Sequence, residues 1–299
     1  MMRFSTLLFA IVFVVSCASR TPKPATPVPS QSSTTSPHEN LNAVLWMQTA
    51  LEYQASALQA YRAARLQLDA ALADRSWTAA IEQNAAEASQ LPPAVILDVD
   101  ETVLDNSYYQ ARMVRDNTPY TTGTWDPWVL EMRATAIPGA REFTQYAAQK
   151  GVAVFYVTNR TANLEEATRR NLAAEKFPLG ENVDTVLTRG ERPEWSASAK
   201  GPRRAFIAGS YRILLLVGDD LSDFVVDASG TPAEREQRTL PYAEWWGRRW
   251  IMLPNPTYGS WERAVVGNEK DHLAARRRAL KYGTAVQTPN SKIETLKQP

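Results

Sequence analysis

The chain has 299 residues, enough for one large domain or two modest ones, and a formal charge of +1, which offers a nucleic acid polymer nothing to hold. Its only histidines, His38 and His272, are far apart, which argues against a His-built metal site and against a Ser-His-Asp triad. Nine Trp and eleven Tyr exceed the needs of a core, so some are expected to face a ligand.

At the N-terminus, Arg3 is the only charge in the first sixteen residues, and the apolar run Leu7 to Val15 is too short to span a bilayer. The run leads into V-V-S-C, and Cys17, the only cysteine, can form no internal disulfide. The segment resembles a bacterial lipoprotein signal, in which such a cysteine is acylated and becomes the mature N-terminus; an ordinary secretory signal with a chance cysteine is the alternative. On this reading residues 1–16 are a signal peptide, Cys17 is the lipidation site, and 17–37 is a Pro/Ser/Thr tether with nothing to bury. Ala18 stands where inner-membrane lipoproteins often carry Asp, so the expected place is the outer membrane, facing the periplasm or the cell exterior.

From Asn40 to Ala73, Val44, Met47, Leu51, Ala55, Leu58 and Tyr61 recur at three- and four-residue spacing, predicting a helix with one buried stripe. Trp77 to Ser89 reads as a second helix, stopped by Pro92-Pro93. Together they make an N-terminal helical segment over 38–90.

Ala94 to Leu97 is an apolar run fit for a buried strand, and it ends in Asp98 and Asp100. In an open α/β sheet the carboxyl ends of strands are where ligand binds. Paired carboxylates suit phosphoryl transfer, one as nucleophile and the other as general acid and base. Their mutual repulsion favours a metal ion or a raised pKa on one of them. A calcium loop is excluded, since Val103 replaces the required Gly at the sixth position and Tyr109 replaces Glu at the twelfth. A strand ending in solvated acids is the bland alternative.

Glu101 to Ile137 shows no clear strand but holds Tyr108, Tyr109, Tyr120, Trp125 and Trp128, and is expected to lie over the site as a cap. Arg141 to Gln149 reads as a helix. Val152 to Val157 is a second strand ending in Thr158-Asn159-Arg160, and Asn163 with Glu166 offers a capping box for a helix to Glu175. Val183 to Leu187 is a third strand. Ser198 to Arg204 sets Lys200 on a loop or helix start. Ile213 to Val217 is a fourth strand, running into G-D-D-L-S-D-F. Trp250 to Leu253 is a fifth, and Asn268 to Tyr282 a last helix ended by Gly283. Alternating strands and helices argue for a parallel sheet covered on both faces. Asp98/Asp100, Thr158/Asn159 and Asp219/Asp223 then meet at one edge.

Together, D-V-D-E-T, V-T-N, S-A-K-x-x-R and G-D-D-L-S-D-F resemble the four motifs of the haloacid dehalogenase (HAD) superfamily of phosphohydrolases. V-L-D-N-S, L-W-M-Q-T-A-x-E-Y and I-M-L-P-N-x-x-Y-G-x-W-E resemble its class C acid phosphatases, bacterial lipoproteins that include 5′-nucleotidases. The resemblance implies an α/β fold: a HAD-like Rossmannoid parallel sheet with helices on both faces. A smaller helical domain or cap would come from the N-terminal helices, the insert after the first strand and the C-terminal helix. The phosphatase core is placed at 91–267, the cap insert at about 105–137, and a C-terminal helix and tail at 268–299.

The resemblance also implies roles. Asp98 attacks phosphorus and becomes an aspartyl-phosphate, and Asp100 protonates the leaving alcohol and then deprotonates water. Mg²⁺ is held by the side chains of Asp98 and Asp219 and the backbone carbonyl of Asp100, with Asp223 holding its waters. Thr158 binds a phosphoryl oxygen, Lys200 neutralises charge, Asn159 contacts substrate, and Trp125 and Tyr258 sandwich a nucleobase. Asp220 departs from the Asn usual in that branch and places another negative charge near the metal. The expected activity is a lipid-anchored, Mg²⁺-dependent acid phosphatase acting on small phosphomonoesters, above all nucleoside 5′-monophosphates and nicotinamide mononucleotide among them, best at mildly acidic pH. A broad acid phosphatase without base preference and a ligand-binding surface lipoprotein, for haem as an example, are the alternatives. Oligomeric state stays open, a homodimer being one option.

Overall fold

The computed structural model describes residues 38–282. The expected signal segment, Cys17, the tether and the tail from Gly283 lie outside the described residues.

Where one helix is expected over 40–73 there are two, α1 (Leu41–Thr49) and α2 (Leu51–Ala73), because Ala50 between them is extended at φ −80° and ψ 127°. One non-helical residue re-phases everything after it. The buried stripe of α2 is therefore Tyr53, Ala57, Tyr61, Ala64, Leu68 and Ala71. Leu51 and Leu58, assigned to the core by a continuous 3.6-residue period, are exposed.

The second expected helix is reduced to α3 (Ala85–Ala88). Ahead of it the chain is held by β6 (below) instead of by its own turns: Ala79 N–H donates to Ile213 O and Trp77 Nε1 to Leu214 O, each at 2.8 Å. Tertiary hydrogen bonds win over a modest local helix preference there.

Five strands form a parallel sheet in the order β5-β4-β1-β6-β7: β1 (Pro93–Leu97), β4 (Ala153–Thr161), β5 (Val186–Arg189), β6 (Arg212–Gly218) and β7 (Trp250–Met252). β1 and β6 are buried nearly throughout, as both-face coverage requires. Val95 and Leu97 face a cluster with Tyr61, Leu68, Phe143 and Ala147. Ala94 and Ile96 face another with Trp195, Ile207, Phe224 and Trp250. That alternation is the strand period of two. Much of the aromatic content is thus core and not ligand surface, Trp77, Trp128, Trp195 and Trp250 all being buried.

The insert after β1 carries β2 (Leu104–Asp105), α4 (Ser107–Asp116), α5 (Thr122–Leu130) and β3 (Thr135–Ala136), with β2 and β3 paired antiparallel to close it. The remaining helices are α6 (Ala140–Gln149), α7 (Glu165–Ala174), α8 (Gly201–Ala208), α9 (Pro232–Thr239), α10 (Ser260–Val266) and α11 (His272–Ala279). The Asn163/Glu166 capping box does not form, because a 3₁₀ turn over Ala162–Leu164 makes Leu164 the N-cap of α7. The third strand starts at Val186, three residues later than expected, since Gly180 N–H is tied to Thr185 Oγ1 in a turn. α11 is shorter than expected and begins where the Asp271 side chain caps Ala274 N–H.

Candidate active site

Leu97 is in register with Tyr156 of β4 and Val217 of β6, and Asp98 N–H donates to Val217 O at 2.9 Å. Asp98, Thr158 and Asp219 follow those three residues by one or two positions, so parallel pairing brings them to one sheet edge. Carboxylate oxygens of Asp98, Asp219 and Asp223 lie within 4.8 Å of one another. Asp98 continues the side of β1 that carries Ile96, and there α8 delivers Lys200 as its N-cap residue. The buried Lys200 ammonium pairs with Asp98 and, at 2.5 Å, with Asp223.

One ammonium does not balance three acids, Asp98 and Asp223 buried and Asp219 half-buried. Burial pushes the Asp98 carboxyl up to about 7, with Lys200 pulling back and Asp223 and Asp100 adding repulsion. Burial raises Asp219 well above the carboxylate range, and the charges of Asp98, Asp223 and Glu101 raise it further. Asp223 is raised by burial too, against the pull of Lys200. Burial alone would lower Lys200, but Asp223 and Asp98 hold it above its ordinary value. Among the described residues Asp219 meets only neutral donors, Thr102 Oγ1 at 3.2 Å and Asn255 Nδ2 at 2.8 Å. An all-oxygen donor set with surplus negative charge fits a hard divalent cation.

Asp100 does not join this carboxylate cluster by its side chain. That side chain turns to Asn106 Nδ2 at 2.9 Å and Arg160 Nη2 at 2.7 Å. Thr158 Oγ1 accepts Arg160 N–H at 3.1 Å. Asn159 Oδ1 is engaged by Arg203 Nη2 at 2.7 Å, and burial lowers that guanidinium to about 10.

Asp220 spends its charge on backbone rather than on the cluster. Its oxygens accept Ser222 N–H at 2.9 Å and Ser260 N–H at 2.5 Å, while Asp223 Oδ2 accepts Asp220 N–H at 3.0 Å. Burial pushes its pKa up, but the hydrogen bonds from Ser222 and Ser260 outweigh that and hold it low.

On the cap, the half-buried Trp125 ring lies 5.1 Å edge-on from Tyr109 and 5.6 Å from the Arg160 guanidinium. Tyr258, from the segment after β7, donates its hydroxyl to Glu101. Glu101 is fully buried, takes a left-handed φ of 56°, and is raised to about 8 by burial and by the neighbouring Asp100 charge.

Sequence reasoning assigned no role to Glu101, Thr102, Asn106, Arg160, Arg203 or Asn255. Each lies inside or directly after a motif already singled out; what was missing was a partner, which only the fold supplies.

A family model described as HAD superfamily, subfamily IIIB (acid phosphatase), matches residues 15–261. Among solved structures, the class C acid phosphatase from Bacillus anthracis is 33% identical, with 83% of this chain and 98% of that chain covered and a TM-score of 0.70. Its structure with tungstate bound matches at 32% identity, the same coverage and a TM-score of 0.70.

Proposed function

The chain belongs to the subfamily IIIB acid phosphatases of the HAD superfamily, and on that premise we propose that it hydrolyses nucleoside 5′-monophosphates through an aspartyl-phosphate on Asp98. The observation that carries the reading is the meeting of Asp98, Asp219, Asp223 and Lys200 at the carboxyl edge of the sheet, with Thr158 in the adjoining strand β4. Such a site offers a carboxylate nucleophile, a buried cation for the phosphoryl oxygens and a hydroxyl beside them. Phosphoryl transfer needs positioning and charge stabilisation more than covalent help. The class C acid phosphatase from Bacillus anthracis has been solved with tungstate bound, and tungstate is a tetrahedral oxyanion with the shape of a phosphoryl group.

In this reading the side chains of Asp98 and Asp219 and the backbone carbonyl of Asp100 would hold Mg²⁺, with Asp223 holding its waters. When bound, the ion neutralises the carboxylates and the phosphate so that one anion can approach another. Asp98 attacks phosphorus. Asp100 gives its proton to the leaving oxygen and takes one back from the water that releases phosphate. Lys200 and Thr158 hold the phosphoryl oxygens.

Trp125 and Tyr258 stack on the base, which offers a π-face whatever its identity. The lipobox ending at Cys17 and the tether after it make the enzyme an outer-membrane lipoprotein.

Adenosine 5′-monophosphate and p-nitrophenyl phosphate are to be assayed with Mg²⁺ and with EDTA. EDTA should abolish both activities. Trp125→Ala or Tyr258→Ala should raise KM for the nucleotide about tenfold, the equivalent of 1.4 kcal/mol, and change p-nitrophenyl phosphate much less. Metal-independent turnover would overturn the mechanism, and equal losses on the two substrates would assign both rings to packing.

A further inference from the structure

The two oxygens of Asp100 are held unequally. Oδ1 accepts from Asn106 Nδ2 at 2.9 Å, from Arg160 Nη2 at 2.7 Å and from Arg160 Nε at 3.0 Å. Among the described residues Oδ2 meets only Arg160 Nε, at 3.3 Å. Three donors crowd Oδ1, and a proton placed there would itself be a donor with no acceptor to face. Oδ2 is the oxygen left to carry one.

Both anchors are themselves anchored. Asn106 Oδ1 accepts the Trp128 indole N–H at 2.8 Å. An indole N–H can only donate, so the amide nitrogen must be the end that faces Asp100. The Arg160 side chain is 1% exposed, and its Nη1 donates to Thr168 Oγ1 at 3.2 Å. Its guanidinium carbon lies over the Trp125 ring, 5.6 Å from the ring centre. Trp125 and Trp128 both stand on α5, in the cap.

We propose that Arg160 and Asn106 are positioning residues that lock the Asp100 carboxyl so that Oδ2 alone exchanges the proton with the leaving oxygen, and that α5 sets this lock through Trp125 and Trp128. The proposal rests on the reading of Asp100 as general acid. As Asp98 forms its bond to phosphorus, the bond from phosphorus to the leaving oxygen breaks and its electron pair stays on that oxygen. The proton on Oδ2 passes to the same oxygen, and the carboxylate left behind faces Arg160. Water then attacks the phosphorus, its bond to the Asp98 oxygen breaks to free that carboxylate and phosphate, and the proton lost by the water goes to Oδ2.

The lock is readable through leaving groups. p-Nitrophenolate departs without a proton, whereas the alkoxide of glycerol 2-phosphate needs one, and general acid help is worth 10²–10⁴-fold where it is needed. The quantity to measure is kcat/KM for both esters, with Mg²⁺, in wild type, Asp100→Asn, Arg160→Met, Arg160→Lys and Asn106→Ala. This constant covers steps up to departure of the leaving group, so the shared hydrolysis of the intermediate does not enter. The folded fraction of a variant multiplies both values and cancels in their ratio.

Asp100→Asn should lose far more on glycerol 2-phosphate than on p-nitrophenyl phosphate. Arg160→Met and Asn106→Ala should widen the same ratio by about tenfold or more, the scale expected for a misaligned catalytic group, and Arg160→Lys should fall between. If Asp100→Asn widens the ratio while the other three leave it unchanged, the positioning role is wrong. If Asp100→Asn itself leaves it unchanged, the general-acid reading fails and takes the proposal with it. Should Arg160→Met not accumulate, Arg160→Lys and Asn106→Ala carry the same comparison.

Discussion

Asp98 is a buried carboxylate held by one ammonium and crowded by two further acids. In the proposed mechanism it is the nucleophile, and burial leaves it little solvation to shed before attack. Asp98→Asn keeps the shape and removes the nucleophile. Its rate on p-nitrophenyl phosphate should fall below about a hundredth of wild type, as loss of a covalent nucleophile demands. A variant retaining more than that would exclude the aspartyl-phosphate route. Asp220 teaches the complementary lesson. As a residue type it reads as one more negative charge near a metal, but two backbone N–H groups take up its oxygens and join the loop after β6 to the start of α10.

At the scale of elements, the loop leaving β6 is the tightest piece of the site. A Cβ on Gly218 would stand 2.5 Å from the Asp223 Cβ and inside its carboxylate, which cannot retreat while Oδ1 pairs with Lys200 and Oδ2 accepts Asp220 N–H. Gly218→Ala should therefore displace Asp223, cost about 1–3 kcal/mol of stability as an overpacked site does, and raise the Mg²⁺ concentration needed for half-maximal activity. Unchanged melting temperature and metal titration would show that Asp223 has room to move. The helices show the limits of local pattern in the opposite direction. α2 changed phase at a single extended alanine, and α9 has no apolar stripe to find, since it buries no residue. Its start is fixed by a capping box, Thr231 Oγ1 accepting Glu234 N–H and Glu234 accepting Thr231 N–H, with Pro232 as the first helical residue.

At the scale of the whole molecule, the acid cluster ties metal binding to stability. Asp98 titrates at about 7 in the folded protein, against about 3.9 in an unfolded chain, and Asp219 and Asp223 are shifted the same way. The folded state then holds protons that the unfolded state has released. Their stabilising contribution is complete below about pH 4 and is lost as pH rises through about 7. The melting temperature of EDTA-treated protein should fall between pH 5 and pH 8, and Mg²⁺ should restore more of it at pH 8 than at pH 5. An Mg²⁺ effect of equal size at both would uncouple the carboxylates from the metal. The anchor is a separate matter. On the proposed lipid anchor, Cys17→Ala should release the enzyme from the membrane fraction with its specific activity intact, since the Pro/Ser/Thr-rich composition of 18–37 offers little apolar surface. Retention after a high-salt wash would place the anchoring elsewhere.

The sequence by itself determined the five strands in their order and the acids that follow the first and the fourth, whereas the second runs on through Thr158-Asn159-Arg160 to Thr161 and the third is shifted by three residues at its start. A buried strand is a short apolar run, and the residues that break it are local facts. The meeting of Asp98, Thr158 and Asp219 was legible for the same reason, because parallel pairing sends every strand end to one edge. Only the tertiary structure decided which way α2 faces, that Trp77 to Ala80 serves β6 instead of forming a helix, and that Asn106 and Arg160 close on one oxygen of Asp100. Periodicity and motif spacing describe a residue's neighbours along the chain. A hydrogen-bond partner 54 or 60 positions away is chosen by packing, and its identity is written nowhere near the residue that needs it.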